Sequence, residues 1–491
     1  MYIMNNNFSE EAYNQMISAL FRRFPSFQKA GARAYKPGID NMLFFDQLAG
    51  HPHRKYATIH VAGTNGKGSV SNMLASILAA CGLKVGLYTS PHILDFRERM
   101  RVVKGTVLPG NSVEYISKED VWNFWQQWGQ TADHLDLSFF EITTMMAFDW
   151  FAGQDVDVAV IETGLGGRLD STNIIAPVLS VITNIGLDHC DLLGDTLAEI
   201  AFEKAGIIRP CVPVVVGESD PETDAVFERK VLYTNLPEAS FAGDRSRIMS
   251  LLSFADKLEP RFWGRHRDML DAMDLQGVYQ ERNLRTVLAA LDVLLSGNCA
   301  AAGEYGRLEA GLKALLQCDA AEAIVAGAVE NTAKRMDFHG RWEKLCDAPY
   351  VICDIGHNAH GLKYNFAQLD GMMSGGRFRE LIMVYGSVAD KDVDAVLRIF
   401  PQRAHCIFTN AEGKRALPAG ELKARYSAVC LESGRPEGDV RVAGTVKEAV
   451  EVAFALARNL SADGSCADVL VYIGGSTYVV SEAAALWQLR A

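Results

Sequence analysis

The chain has 491 residues, 49% of them hydrophobic, which is enough for two to four domains of about 150 residues with buried cores. Its net charge of -12, from 48 basic and 60 acidic residues, argues against a nucleic-acid-binding surface and favours a small-molecule partner. The ten cysteines form no Cys-x-x-Cys pair, no run of about 18 apolar residues occurs and the N-terminus lacks a signal pattern, so we expect a reduced, cytoplasmic protein without a membrane span.

The first predicted strand, 56–62, and the helix after it enclose the glycine-rich sequence HVAGTNGKGS. Its three glycines leave backbone N–H groups free to face phosphate oxygens. Lys67 supplies a positive charge, and Ser69 can place a hydroxyl on Mg²⁺. The loop is shorter than the common pattern, because only Thr64 and Asn65 separate the first two glycines. These features predict an ATP or GTP site.

Four further apolar, β-branched runs alternate with helical patterns, at 85–89, 156–161, 178–183 and 212–216. This alternation predicts a mainly parallel sheet covered on both faces, with ligands at the carboxyl ends of its strands. The segment 218–265 is mixed and polar, and we predict irregular or peripheral structure there.

Polar residues follow three of these strands. Ser90, Glu162 and His189 offer a hydroxyl, a carboxylate and an imidazole that could hold Mg²⁺ together with the phosphate loop. Each also has an ordinary structural explanation: Ser90 in a turn that presents Pro91, Glu162 paired with Arg168, and His189 as a packed side chain.

The glycine-rich turn after Glu162 leads to a candidate substrate-contacting loop formed by Leu169, Asp170 and Ser171. A helix follows, with Thr196 and Glu199 at the spacing of a capping box. Lys204 lies in its last turn, where a lysine commonly just favours the negative end of the helix dipole.

A second α/β series begins near 341, with predicted strands at 350–355, 381–384, 406–409 and 469–473. We therefore predict two domains, 1–330 and 331–491, and a site in the cleft between them. After the first of these strands, DIGHNAHG places Asp354 and His357 in a strand-end loop, where a solvated turn is the alternative.

Several motifs appear in one order over nearly the whole chain: HVAGTNGKGS, TSPH, SFFEITT, VIETGLGGRLDSTNII, ITNIGLDHCDLLGDTLAEIAFEKAGIIRP, YQERN, HGRW and DIGHNAHG. In these motifs the chain resembles the folylpolyglutamate synthase/dihydrofolate synthase family of the Mur ligase superfamily. The LGGRLDSTN and EIAFEKAGIIRP stretches distinguish it from the peptidoglycan-building Mur ligases.

The resemblance implies an N-terminal P-loop ATPase domain, a smaller Rossmann-like C-terminal domain, and ATP- and Mg²⁺-dependent addition of L-glutamate to dihydropteroate or folates by a monomer. The nucleotide would be bound by Asn65, Gly66, Lys67, Gly68, Ser69, Asn283, Arg341 and Asp354. The metal would be held by Ser90, Glu162 and His189. Dihydropteroate would be held by Ser138, Phe139, Phe140, Glu141, Leu169, Asp170 and Ser171. The lysine matching Lys204 is carboxylated in this family.

A carboxylate needs a leaving group before an amine can displace its oxygen, so we expect γ-phosphoryl transfer to give an acyl phosphate that glutamate attacks. His357 or Asp354 could assist loss of the proton from the amine. One alternative is another Mur-type ligase acting on a cell-wall nucleotide precursor. A second alternative is a nucleotide-binding switch without ligase activity.

Overall fold

The structure is a computed structural model that describes residues 8–24, 31, 36–104, 113–237, 244–297, 305–462 and 464–488. The described residues form two compact α/β units, which confirms the predicted fold class. The first unit comprises Met1–His92, Arg97–Asp274 and Glu281–Asp337, and the second comprises Ile93–Phe96, Leu275–Gln280 and Phe338–Ala491.

The first unit is built on an eight-stranded sheet with the order β4-β3-β2-β5-β1-β6-β7-β8. The strands are β1 (Ala57–Ala62), β2 (Val85–Tyr88), β3 (Met100–Val103), β4 (Val113–Tyr115), β5 (Val158–Glu162), β6 (Leu179–Ile182), β7 (Val214–Val216) and β8 (Leu252–Phe254). The pairings from β2 to β8 across the sheet are parallel, whereas β3 and β4 join antiparallel at one edge. The carboxyl ends of β1, β2, β5 and β6 therefore meet at one edge of the sheet.

Helices connect these strands. They are α1 (Glu10–Arg23), α2 (Asp40–Leu48), α3 (Lys67–Ala80), α4 (Lys118–His134), α5 (Phe139–Gly153), α6 (Cys190–Leu193), α7 (Leu197–Lys204), α8 (Pro221–Asn235), α9 (Arg245–Met249), α10 (His266–Ala272), α11 (Gln280–Leu295), α12 (Gly306–Leu316), α13 (Ala321–Glu330) and α14 (Thr332–Met336). Short 3₁₀ helices cover Pro52–Lys55, Phe96–Arg99, Ala205–Ile207, Ala255–Lys257 and Trp263–Arg265.

Helix α3 lies at the centre of the first unit. Its residues from Gly68 to Ala80 are all buried, and Ser76 Oγ donates a hydrogen bond to the Ala328 carbonyl of α13 at 2.8 Å. Its apolar residues and the small polar residues Ser69, Ser71, Asn72 and Ser76 are buried alike, as in a helix covered on all sides. The phosphate loop before this helix is therefore held by a rigid element.

The prediction of irregular structure for 218–265 is wrong, because α8 and α9 lie within this segment. Asp220 caps α8 by accepting a hydrogen bond from the Glu222 amide, and Pro221 occupies the first helical turn. Thr223, Phe227 and Val231 recur every four residues on the buried face. The PETD sequence is thus the start of a helix. The charged residues of this segment made the four-residue spacing of its buried positions hard to recognise in the sequence.

The second unit has a six-stranded sheet with the order β13-β12-β11-β14-β10-β9, in which only the β9–β10 pairing is antiparallel. Its strands are β9 (Glu343–Asp347), β10 (Tyr350–Asp354), β11 (Glu380–Tyr385), β12 (Ala404–Phe408), β13 (Val440–Val442) and β14 (Val469–Gly474). Its helices are α15 (Ala359–Ser374), α16 (Val393–Arg398), α17 (Ala419–Glu432), α18 (Val446–Leu460) and α19 (Thr477–Gln488).

Alternate residues of these strands belong to two separate apolar cores. Met383 and Tyr385 of β11 face a core that includes Phe400 and α17, whereas Ile382 and Val384 face a core that includes α18. A parallel sheet buried on both faces requires this arrangement. Among the helices of the described ranges, none combines the length and apolar content that crossing a bilayer requires.

Candidate active site

The glycine-rich loop joins the end of β1 to the start of α3, at the edge where the parallel strands end. Gly63 has φ +147° and Gly66 has φ +84°. A Cβ atom on Gly66 would collide with Oδ1 of Asn283, which lies on α11. Glycine at this position thus suits the backbone angle, and a Cβ atom there would displace the Asn283 side chain.

The loop is anchored by the residues that follow β6. The Thr64 amide donates to the Asn184 carbonyl at 2.9 Å, and the Asn65 amide donates to Asn184 Oδ1 at 3.0 Å. Thr183 Oγ1 donates to the Asn65 carbonyl at 2.5 Å. Sequence reasoning missed Thr183 and Asn184; the signal was a Thr-Asn pair directly after a predicted strand.

Two lysine amines meet at the carbonyl oxygen of Gly63. Lys67 Nζ lies 3.1 Å from this oxygen and Lys204 Nζ lies 2.9 Å from it. Lys204 is buried, and removal from water together with the charge of Lys67 lowers its pKa to about 7. The Lys67 ammonium thus places positive charge beside the N-terminus of α3, where backbone N–H groups already favour an anion, and it disfavours a second charge on Lys204.

Two of the three predicted metal ligands lie together. Glu162 ends β5 and is buried, and its Oε2 accepts a hydrogen bond from the Ser90 amide at 3.2 Å. His189 precedes α6 with φ +54°, and its Nε2 lies 3.9 Å from Asp188 Oδ2. Within the described part of the chain, no group of three or more His, Cys, Asp or Glu side chains is arranged to hold a metal ion.

The chemistry of these donors nevertheless fits Mg²⁺. This ion takes one or two carboxylates from the protein and completes its shell with water and substrate phosphates. The buried Glu162 carboxylate and the adjacent Ser90 hydroxyl, at the same sheet edge as the phosphate loop, provide that kind of partial set.

The predicted substrate residues Ser138 and Glu141 form a capping box at the start of α5. The Ser138 amide donates to Glu141 Oε2 at 2.6 Å, and the Glu141 amide donates to Ser138 Oγ at 3.2 Å. Between them, the Phe139 ring packs 5.4 Å from the Arg99 guanidinium, and Phe140 lies against Gly164 of the next loop. The motif thus has a structural role in addition to any contact with substrate.

Asp170 organises the glycine-rich loop after β5. Its carboxylate accepts hydrogen bonds from the amides of Gly164 at 2.9 Å, Leu165 at 2.8 Å and Thr172 at 3.0 Å. Burial of this carboxylate raises the pKa of Asp170. Leu169 is partly exposed and Ser171 is buried beside it. Arg168 pairs with Glu203 at 2.8 Å.

Arg99 is a further candidate for the site. It follows the TSPH motif in a run of charged residues, to which sequence reasoning assigned no role. The structure buries its guanidinium, which donates from Nε to His92 Nδ1 at 2.9 Å. Burial lowers the pKa of Arg99, and Tyr88 and Glu162 oppose that shift electrostatically. A buried cation beside Glu162 suits an anionic substrate.

In the second unit, Asp354 ends β10 and accepts four hydrogen bonds. Oδ2 accepts from Tyr279 Oη at 2.6 Å and from the Trp342 amide at 2.9 Å. Oδ1 accepts from the Gly356 amide at 2.7 Å and from Asn365 Nδ2 at 2.8 Å. The carboxylate is therefore fixed within its own unit and orders the turn after β10.

The other predicted residues of this unit surround that turn. His357 Nδ1 lies 3.0 Å from the Ile355 carbonyl. The Arg341 guanidinium lies 5.2 Å from the centre of the Phe338 ring and donates to the Gly340 carbonyl at 3.2 Å.

Comparison with known proteins gives the following similarities. Residues 340–474 match the family model described as the glutamate ligase domain of Mur ligases. A dihydrofolate synthase/folylpolyglutamate synthase of Mycobacterium tuberculosis is 32% identical over 448 residues, which are 87% of this chain and 84% of that protein. A probable bifunctional folylpolyglutamate synthase/dihydropteroate synthase of Haloferax volcanii is 30% identical over 477 residues, which are 97% of this chain but only 50% of that protein.

Among solved structures, Mycobacterium tuberculosis folylpolyglutamate synthase complexed with ADP superimposes with a TM-score of 0.72 at 27% identity. The superposition covers 97% of this chain and 98% of that one. The likeness therefore extends over both α/β units.

Proposed function

The chain belongs to the folylpolyglutamate synthase/dihydrofolate synthase family, and we propose that it is an ATP-dependent ligase that joins L-glutamate to dihydropteroate or to folates. The observation that carries this proposal is the phosphate loop. Two lysine amines converge on the Gly63 carbonyl at the N-terminus of the buried helix α3, beside the Glu162 carboxylate at the same sheet edge.

An amine cannot readily displace an oxygen from a carboxylate, because that oxygen is a poor leaving group. Transfer of the γ-phosphoryl group to a carboxylate oxygen gives an acyl phosphate and ADP. The glutamate nitrogen then forms the amide bond, inorganic phosphate leaves with the oxygen, and the nitrogen releases a proton. Backbone amides of Gly66 and Gly68 and the Lys67 amine would hold the phosphates and neutralise charge.

Ser90, Glu162 and His189 are proposed to hold Mg²⁺, which would neutralise phosphate charge when bound. Lys204 is proposed to be a carbamate that supports this ion. A lysine whose pKa is lowered to about 7 has a substantial fraction of neutral amine near neutral pH, and the neutral amine is the form that reacts with carbon dioxide. A carbamate carbon resonance after addition of ¹³C-bicarbonate, absent in Lys204→Met, would support this assignment.

The remaining assignments stay predictions. They are the nucleotide roles of Asn65, Ser69, Asn283, Arg341 and Asp354, help from His357 in removing the proton, and the dihydropteroate roles of Ser138–Glu141 and Leu169–Ser171. We also propose a monomeric protein that works in the cytoplasm.

The proposal is tested by a two-substrate assay with ATP, Mg²⁺ and L-glutamate, supplied with either dihydropteroate or tetrahydrofolate. We expect ADP release and a product heavier by one glutamyl residue. Lys67→Ala should slow turnover by about 10²–10³-fold, because it removes a charge aimed at the transferred group. Lys313→Ala, which alters an exposed lysine on α12, is the matched control.

Turnover with UDP-linked muramyl substrates and none with pterins would instead identify a cell-wall ligase. ATP binding without any new amide product would identify a switch.

A further inference from the structure

A second concave surface lies in the first unit, on the outer side of α7. It is a groove of about 700 Å³ between α6, α7 and α8. Its apolar lining includes Leu192, Leu193, Phe202, Val226 and Tyr233. This volume lies in the range of pockets that bind small organic molecules.

The groove exposes aromatic surface to solvent. Phe202 is 52% exposed and Tyr233 is 66% exposed, although both belong to helices that pack on the sheet. Phe202 also has the Arg168 guanidinium 5.6 Å from its ring centre. Two exposed rings that face one concavity favour a ligand with a flat apolar body.

The same groove carries cations without counter-ions. Val226, Arg229, Lys230 and Tyr233 lie one turn apart or adjacent on α8, so they share one face of the helix. Among the described residues, Arg229 and Lys230 have no ion-pair partner. Lys230 is only partly exposed.

The two carboxylates of the groove are already engaged elsewhere. Glu203 pairs with Arg168 at 2.8 Å. Glu199 accepts hydrogen bonds from the amides of Asp195 at 2.9 Å and Thr196 at 3.1 Å at the start of α7, and it keeps its negative charge. Burial and the nearby charges of Arg209 and Arg168 lower the pKa of Lys230. Neither carboxylate forms a salt bridge with Arg229 or Lys230, so both cations can meet the carboxylate of a ligand.

We propose that this groove is a binding site for a small aromatic carboxylate. Its ring would lie among Phe202, Tyr233 and the leucines, and its carboxylate would meet Arg229 and Lys230. Arginine can bind such a carboxylate with two parallel hydrogen bonds, and a partly buried lysine gains from a counter-ion.

The groove is distinct from the phosphate loop. The face of α7 that carries Phe202 and Glu199 lines the groove, whereas Lys204 is buried and bonds to Gly63. The proposal therefore does not depend on the ligase reaction, and binding can be measured without nucleotide or substrate.

The test is a ligand-observed NMR titration of the whole protein with 2-naphthoate. We expect a dissociation constant on the order of 1 mM, from the efficiency of small ligands. The neutral analogue 2-naphthylmethanol should bind at least about tenfold more weakly, because it lacks the charge.

Three variants test residues of the site, and a fourth is the control. Lys230→Gln and Arg229→Gln should each weaken binding of 2-naphthoate by about tenfold. Phe202→Ala should also weaken it, whereas Arg245→Gln, at an exposed arginine on α9, should leave it unchanged. An unchanged melting temperature verifies that each variant is folded. If Lys230→Gln does not fold, Lys230→Met replaces it in the titration.

Equal binding of the acid and the alcohol would overturn the proposal, and so would unchanged affinity in the Lys230 variants. A shift from dimer to monomer in Phe202→Ala, without any naphthoate binding to the original protein, would show that the groove is a contact between two copies instead.

Discussion

At the scale of single residues, the phosphate loop depends on two glycines and two lysines. Gly66 has a left-handed backbone and faces Asn283, and both lysine amines bond to the Gly63 carbonyl. The separate effects of backbone angle, close packing and charge can be distinguished by substitution.

Gly66→Ala should impair turnover more than stability alone explains. The matched control is Gly82→Ala, because Gly82 has φ +85° and no atom within 4 Å of its missing Cβ. Both changes should cost about 1–2 kcal/mol in unfolding free energy from the backbone angle. Only Gly66→Ala should also displace the loop and reduce turnover by about 100-fold. Equal activity of the two variants would contradict the proposed contact with Asn283.

Lys204 should make stability depend on pH. Its folded pKa is lowered to about 7, whereas an unfolded lysine titrates near 10.4, so the unfolded chain binds more protons between these values. The unfolding free energy should therefore rise with pH from about 7 upward, by at most about 1.4 kcal/mol per unit.

Lys204→Met should lack this rise. The unfolding free energy of the original protein should therefore increase relative to that of Lys204→Met as the pH increases from 7 to 9. Urea unfolding at pH 7, 8 and 9 in buffer free of carbon dioxide measures the difference, with Lys313→Met as the exposed-lysine control. Parallel pH profiles for the original protein and Lys204→Met would refute the lowered pKa.

At the scale of elements, helix caps determine where the functional segments begin. The predicted capping box of Thr196 and Glu199 is confirmed at the start of α7. An equivalent box of Ser138 and Glu141 starts α5, in a motif that the family resemblance assigns to substrate binding. A cap and a substrate contact make different demands on the serine side chain.

Ser138→Ala should therefore destabilise the protein by about 1 kcal/mol, and Ser138→Asp should restore most of that loss, because aspartate also caps helices. Thermal unfolding measures both variants. If the hydroxyl also binds dihydropteroate, Ser138→Asp will be stable yet bind this substrate more weakly than the original protein. Identical melting temperatures for all three proteins would exclude a contribution of the cap.

At the scale of the whole molecule, stability comes from two α/β cores rather than from covalent links. The second sheet has an apolar core on each face, the central strands of the first sheet are fully buried, and all nine cysteines of the described ranges are free thiols. Burial raises the pKa of Cys353, and it raises that of Cys406 to about 12, so both should be poor nucleophiles in the folded state.

Titration with a thiol reagent in denaturant should count all ten cysteines of the chain, with or without prior reduction. The folded protein should react only partly, because Cys353, Cys406, Cys430 and Cys466 are buried. A reductant should leave the melting temperature unchanged. A count below ten in denaturant without reductant would reveal a disulfide.

Local patterns were sufficient for much of this protein. The glycine and lysine spacing of the phosphate loop, the apolar strands β1, β2, β5, β6 and β7, and the capping box of α7 each depend on residues within one turn or one strand. The failure at α8 had a local cause too, since a polar helix start was interpreted as loop.

Only the tertiary structure decided which residues of different elements are in contact, and how that contact changes their burial and pKa. The local pattern placed Lys204 at an ordinary helix end, and only the family resemblance implied a carboxylated lysine there. Packing brings its amine to a carbonyl 141 residues away and lowers its pKa. Packing between distant segments also brings Thr183 and Asn184 to the phosphate loop. It likewise places α7 beside α8, where the two helices enclose the groove. Burial and electrostatic environment arise from elements distant in the chain, so no local pattern of side chains specifies them.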